Sequence, residues 1–350
     1  MKKTLFAALA LAFVASCSNE EVVEMAQKEA IGFDNAFVNN STRSVNDPSI
    51  TTDGANGTTS LANFAVFGFV EGANLFDGIK VAKDQTINSE LNSEWQYVGT
   101  QYWIAGANYN FYAVAPATDG NWAKSEATKD GLKLTFTNDG TKDVLYAKKD
   151  QMGLVSDNEE VKFDFNHILS KVKFSFQNDY NATNATIAVR EIKITNAHKT
   201  GTVTLNSSIN WIEYTTRELE LDFGNATDDE STGNKENNNV AYKYGSTYES
   251  QNERLVIPTV AETEYDVEFV LDLYIDEELV ITYNHNAKVK FQPVAGNSYD
   301  IKAVINATNI DPDNEQEPIK FTVTNIAGWG QTNNVDGEDV TIENGTTTQP

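Results

Sequence analysis

Phe163-Asp164-Phe165-Asn166-His167-Ile168-Leu169-Ser170-Lys171-Val172-Lys173-Phe174-Ser175-Phe176 is the stretch that decides how the chain is built. Val161, Phe163 and Phe165 alternate with Lys162 and Asp164, the period of two expected of a half-buried strand. After His167 the parity changes, and Val172, Phe174 and Phe176 become the apolar set. A shift of one residue sends every side chain to the opposite face, so an unbroken strand cannot serve one core throughout. Either a bulge or corner sits near Asn166–Ser170, or the chain leaves one core there and enters another. A straight strand over residues 161–177 would run roughly 55 Å, about three times the usual length. The stretch is therefore read as the seam between two β domains.

Working outward, 350 residues leave room for a sizeable core on each side. Hydrophobic residues make up 40 % and aromatics 11 %, too rich for a disordered chain. Val, Ile, Thr, Tyr and Phe fill the periodic segments while Asn and Gly fill the gaps, a β composition. The formal charge of −25 argues against nucleic acid or a bare anionic membrane as partner.

The single cysteine, Cys17, rules out an internal disulfide. It follows a basic start, Met1-Lys2-Lys3, and an apolar run, Leu5–Val14, too short to span a bilayer. Phe13-Val14-Ala15-Ser16-Cys17 resembles a bacterial lipobox, in which the cysteine becomes the lipidated first residue. Residues 1–16 are thus expected to be a signal peptide and 17–30 a lipidated tether. Its acidic Ser18-Asn19-Glu20-Glu21 resembles a tag for display on the outer surface.

Ile31–Val38 reads as a first strand with Ile31, Phe33 and Phe37 on one face. Asn39–Ser60 reads as a long polar loop carrying Arg43, one of only four arginines, beside Ser44. Leu61–Val70 is nearly continuously apolar, as expected of a strand covered on both faces. Further strands are expected around Glu94–Tyr97, Gln101–Ile104, Asn108–Ala115, Leu132–Phe136 and Val144–Ala147, enough for one sandwich. Beyond the seam, Ile187, Val189, Ile192 and Ile194 flank an expected bulge, and Thr202–Leu205 is a short strand. Thr227–Asn252 reads as a loop, and Pro258 ends a strand. Tyr265–Ile275 turns through Asp276-Glu277-Glu278 into Leu279–Tyr283, with Val289 and Phe291, Tyr299–Ile305 and Ile319–Val323 following. No helix with a period of 3.6 is expected beyond the signal. The fold class is all-β, with domains over 31–163 and 164–350.

Little in the sequence points to catalysis. His167 is expected to be a neutral imidazole bonded to backbone; His198 and His285 lack a second ligand at metal-binding spacing. Asp311–Glu315 lacks the glycine of a calcium loop and reads as a solvated turn. No nucleophile elbow, phosphate loop or dinucleotide fingerprint occurs. No enzyme activity, metal or cofactor is expected. Trp95, Trp103 and Trp122 would suit a sugar-stacking face, though core packing is the commoner use of such residues.

Several of these segments together resemble the fimbrillin superfamily, the Mfa-like lipoprotein pilins (type V) of Gram-negative gut and oral bacteria. The matching pieces are Cys17, the strand Ile31–Phe37 followed by Thr42-Arg43, and Tyr102-Trp103 with Tyr109–Pro116. Phe165–Val172, Leu255–Pro258, Gly296–Tyr299 and the late strand ending near Trp329 follow in order. Ile104 and Thr259 stand where members often carry Pro and Gln.

The resemblance implies two tandem transthyretin-like β-sandwich domains in a subunit of a surface fimbria on the outer membrane. It implies an arginine-specific protease cutting after Arg43, before Ser44, and loss of the first strand with Ile31, Phe33 and Phe37. Another pilin subunit would then fill the groove by β-augmentation, giving a head-to-tail fibre. Five buried apolar side chains would gain on the order of 8–15 kcal/mol before ordering costs. The donor segment would be C-terminal, at Val340 and Ile342 or the strand before them. Its partners would be other pilins, outer-membrane lipid through Cys17, and a surface ligand for adhesion. The alternative is a surface lipoprotein that binds carbohydrate without polymerising.

Overall fold

The computed structural model describes residues 29–38, 50–53, 58–84, 86–91, 93–118, 120–154, 158–214, 217–227, 242–311, 317–326, 340–341 and 346–348. Cys17, Arg43, Ser44, Trp329 and Ile342 lie outside them. The fold is all-β, as expected, with a single turn of helix at Ala307–Ile310 that the periodicity did not announce. That turn is closed by a capping box between Asn306 and Asn309, a local signal too short to register as amphipathic.

In the first half, seven strands form one sheet. From edge to edge they are Phe33–Val38, Val161–His167, Leu145–Met152, Asn108–Ala115, Asn63–Val70, Ala73–Ala82 and Gln96–Tyr97. Asn63–Val70 lies inside this sheet and is buried along nearly its whole length. Phe64 and Val66 face one apolar cluster while Ala65, Phe67 and Phe69 face another, which is why the run is continuously apolar. Gly68 allows this close packing: a Cβ there would sit 2.6 Å from Phe76 Cδ2. A four-stranded sheet covers one side, in the order Ile209–Tyr214, Thr200–Leu205, Gly131–Thr137, Trp122–Thr128. Its first two strands lie beyond the seam in sequence, yet Thr200–Leu205 pairs with Gly131–Thr137 of the first half.

The seam strands Val161–His167 and Ser170–Asn178 belong to different sheets, with a bend at Ile168–Leu169 between them. Val161, Phe163 and Phe165 fill the first cluster and Val172, Phe174 and Phe176 a second one beyond the seam. Ile168 and Leu169, at the parity change itself, enter a third cluster under the four-stranded sheet. The two sequence alternatives thus coincide, since the corner is also the passage between cores.

Hydrogen bonds tie this junction from several sides. Trp211 Nε1 donates to Ile168 O at 2.9 Å, Gly296 N to Leu169 O at 2.9 Å, and Leu255 N to Gly140 O at 2.9 Å. Gly296 sits in the left-handed region at φ 75°, where a side chain would strain the turn. His167 departs from its expected backbone partner. Its Nδ1 lies 2.5 Å from Asp143 Oδ2, and both side chains are buried.

The second half is a sandwich. One sheet carries Ser170–Asn178 beside Ser298–Ile305, then Phe321–Ile326 and Val340–Thr341, with Arg254–Val256 and Thr247–Ser250 on the other flank. The facing sheet runs Leu219–Gly224, Ala185–Ala197, Thr263–Ile275, Glu278–Phe291, Thr346–Thr348. Phe176, Phe269 and Phe321 meet across the gap with ring centroids 5.4–6.2 Å apart. The expected bulge is present, with Glu191 at φ 55° where the register shifts between Arg190 and Lys193.

Three sequence readings are corrected. Val289 and Phe291 continue the strand begun at Glu278, because the Asp276–Glu277 turn feeds one 14-residue strand. Thr247–Ser250, read as loop, pairs with the seam strand. Within the loop expected over Asn39–Ser60, Ile50–Asp53 pairs with Thr58–Leu61, a two-strand pairing made by backbone bonds without an apolar pattern to betray it.

His285 is buried beside Phe269, their ring centroids 4.9 Å apart, and its Nε2 has no hydrogen-bond partner among the described residues. Burial pushes its pKa down to about 4. Below pH 6.5 the unfolded chain takes up a proton that the folded chain refuses. Stability is therefore expected to fall by on the order of 3 kcal/mol from pH 6.5 to 4 through this residue. Urea unfolding of wild type and His285→Phe across that range would show the slope flattened in the variant. Asp143→Ala, which removes a buried hydrogen bond to His167, is expected to cost about 1–3 kcal/mol in the same measurement at pH 7.

Candidate functional site

The first strand, Phe33–Val38, runs parallel to Val161–His167, with Phe33 opposite Val161, Asp34 opposite Lys162, Phe37 opposite Asp164 and Val38 opposite Phe165. A register break falls between Asp34 and Phe37. The strand is gripped on its other side as well. Ile31 N donates to Gln101 O at 2.8 Å, Trp103 N to Glu29 O at 3.0 Å, and Phe33 bridges to Trp95. Because Trp95 adjoins Gln96–Tyr97 at the far edge of the sheet, these contacts roll the sheet around the first strand.

Side chains complete the grip. Ser93 Oγ donates to Phe33 O, and Tyr97 OH donates to Ile31 O at 2.9 Å while accepting from Gln101 N at 3.2 Å. Burial raises the Tyr97 pKa, so its phenol remains a neutral donor. Asn158 donates to Glu29 Oε2 through both its backbone N and its Nδ2, at 2.9 and 2.7 Å. Ser93, Tyr97, Gln101 and Asn158 were not singled out in the sequence. Each acts through polar contacts with a segment 60 or more residues away, which no local pattern reveals.

Ile31 and Phe33 are both 0 % exposed. The Phe33 ring is the hub of the first cluster, with Phe64, Phe76, Tyr97, Phe111 and Phe163 at centroid distances of 5.5–6.3 Å. Burying the two side chains contributes about 3–6 kcal/mol, and each aromatic contact adds up to about 1 kcal/mol. What is built here is a strand-shaped groove. It binds backbone along its edges and apolar side chains at alternate positions.

Of the other sequence-predicted residues, Phe37 pairs along the backbone with Asp164. Val340 pairs with Val323 at a sheet edge of the second half, and Thr346–Thr348 pairs with the opposite sheet. The structure therefore brings Ile31 and Phe33 together and places Val340 elsewhere. The tryptophans pack rather than form a sugar-stacking face, the commoner use that their residue type implied. Trp95 and Trp103 are buried in the first cluster, whereas Trp122 packs against the cluster on the sheet's other side, its Nε1 donating to Pro116 O at 2.9 Å. Among the described residues no group of three His, Cys, Asp or Glu is placed to hold a metal ion.

Phe33→Ala is expected to cost about 3–5 kcal/mol, as a buried aromatic truncated at the centre of a cluster. Urea unfolding followed by tryptophan fluorescence, to which Trp95 reports from the same cluster, measures it.

No curated protein matches the chain significantly. Solved structures with a similar fold include a provisionally assigned cell adhesion protein of Bacteroides uniformis, at 13 % identity and TM-score 0.41, covering 87 % of this chain and 99 % of that one. A fimbrial assembly protein of Parabacteroides distasonis aligns at 12 % identity and TM-score 0.38, covering 80 % and 91 %. A provisionally assigned polysaccharide-binding protein of Bacteroides thetaiotaomicron aligns at 12 % and 0.37, covering 81 % and 90 %. The sequence profile of the fimbrillin-like (Mfa-like) family matches residues 42–329, and the chain belongs to that family.

Proposed function

We propose that this chain is a non-enzymatic structural subunit of a cell-surface fimbria that serves adhesion. Residues 1–16 direct export, Cys17 carries lipid into the outer membrane, and residues 17–30 tether domains over 31–163 and 164–350. An arginine-specific protease cuts between Arg43 and Ser44, the first strand with Ile31, Phe33 and Phe37 leaves, and a neighbouring subunit donates a strand in its place. The segment around Val340 and Ile342 is the donor, and repetition gives a head-to-tail fibre.

The observation that carries this reading is the seating of the first strand. Ile31 and Phe33 are fully buried, yet the strand is continuous with the rest of its sheet only through backbone bonds and side-chain packing. A second strand with the same apolar spacing can replace it without rearranging the sheet, which is the physics of β-augmentation. The resident strand also pairs in parallel and has a register break, both of which weaken its ladder. An unbroken strand arriving from outside has a margin to bind more tightly. The donor assignment agrees with Val340–Thr341 lying on an outer sheet edge, held by two residue pairs.

The test is the N-terminus of the chain on cells and in isolated fimbriae. Polymerised wild type is expected to begin at Ser44, and Arg43→Ala to remain monomeric and begin at Cys17. Polymer made by Arg43→Ala, or fimbriae whose subunits still begin at Cys17, would overturn the route.

A further inference from the structure

At the pole of the second half, opposite the seam, three chain segments enclose a cleft of about 620 Å³. It lies where Ala185–Ala197 begins, where Thr263–Ile275 turns into Glu278–Phe291, and where residues 243–244 pass the end of Ser170–Asn178. The volume is in the range of a small-molecule site. Ala185, at the margin of the second half's apolar cluster, forms part of its wall.

The side chains around it divide into two groups. Asn184 and Asp276 fasten the frame: Asn184 Nδ2 donates to Asp276 Oδ1 at 2.5 Å, and Asp276 N donates to Asn184 O at 3.2 Å. Thr186, Lys243, Tyr244 and Glu277 face the same cleft, and among the described residues their side-chain polar atoms make no hydrogen bond or ion pair. Tyr244 is 53 % exposed, with its ring outside every aromatic cluster. An uncommitted hydroxyl, ammonium, phenol and carboxylate thus converge beside an exposed aromatic face.

The backbone holds this display at some expense. Asn184, Asp276 and Glu277 have φ of 54°, 52° and 67°, a region that non-glycine residues rarely occupy. A glycine at any of the three would relieve that strain but remove a cleft-lining side chain.

We infer that this cleft binds a neutral saccharide. A sugar ring offers an apolar C–H face to stack on Tyr244. Its hydroxyls can pair with Glu277 and Asp276 as acceptors and with Lys243 and Thr186 as donors. Two carboxylates against one ammonium, on a chain of formal charge −25, disfavour an anionic glycan. The lining mixes polar and apolar surface in nearly equal measure, which suits the hydroxyl edge and C–H face of a sugar better than a wholly hydrophobic ligand. The inference deepens the adhesive reading and rests on it for its biological meaning, since it names the ligand class. The cleft's chemistry stands on the residues alone.

The test uses the full lipidated chain in detergent on an array of neutral di- to tetrasaccharides, with sialylated and sulfated counterparts alongside. Retention of a neutral saccharide is expected, weakened at least ten-fold by Tyr244→Ala and by Glu277→Gln. Val98→Ala, an exposed change in the first half, should leave it unaltered. Circular dichroism and thermal unfolding check that the exposed substitutions leave the fold intact. The inference is overturned if neutral saccharides are not held at millimolar concentration, if only anionic ones are held, or if both cleft variants bind as wild type does. Subunit polymerisation is followed in the same preparations. Polymer without saccharide binding defeats the inference and leaves the fimbrial reading standing. Tyr244-dependent binding without polymer does the reverse.

Discussion

A β-strand has two faces, and the chain between Val161 and Phe176 has three cores to supply. That constraint organises the molecule. Val161, Phe163 and Phe165 are committed to one cluster, and Val172, Phe174 and Phe176 to another. The change of parity between them cannot be absorbed within a flat ladder. The bend at Ile168–Leu169 resolves it by turning those two side chains into the third cluster, where Trp211 packs and donates to the Ile168 carbonyl. The hairpin carrying Trp211 is thereby drawn across the seam onto the first half, which makes the junction a packed joint.

The first strand answers to a different balance. Ile31 and Phe33 are as deeply buried as any described residue, so vacating the groove would expose a large aromatic surface. Such a surface is unstable in water. Its ladder, in contrast, is parallel and broken in register. Strong pockets are thus combined with a weak ladder. The grip from Ser93, Tyr97 and Gln101 reaches the strand's backbone carbonyl and amide groups, which any chain supplies. The pole opposite the seam is a different setting. There the Asp276–Glu277 turn and the Asn184 turn hold polar side chains outward in conformations that the packed interior has no use for.

Much of this was legible from residue pattern. The continuous apolar run over Leu61–Val70 implied a strand with two covered faces, because no polar position was left to meet water. The parity change at the seam implied a corner, and the alternation at Tyr265–Ile275 implied the long hairpin. The readings that failed share a cause. His167 was given a backbone partner because Asp143, far off in sequence, carries no mark of its proximity. The cleft at Asn184, Lys243, Tyr244 and Glu277 was not anticipated, since its residues come from three segments that read locally as turn, loop and turn.

The sequence alone determined that the chain is β throughout, that its cores change at the seam, and that Ile31 and Phe33 share a buried face. These follow from periodicity, which depends only on neighbours along the chain. Tertiary structure decided what fills each core, which partner His167 meets, how the first strand is clasped from both sides, and which polar groups converge at the far pole. Those depend on contacts between residues tens to more than a hundred positions apart. Their energies appear only when the sheets have closed on one another, and a one-dimensional pattern holds no record of them.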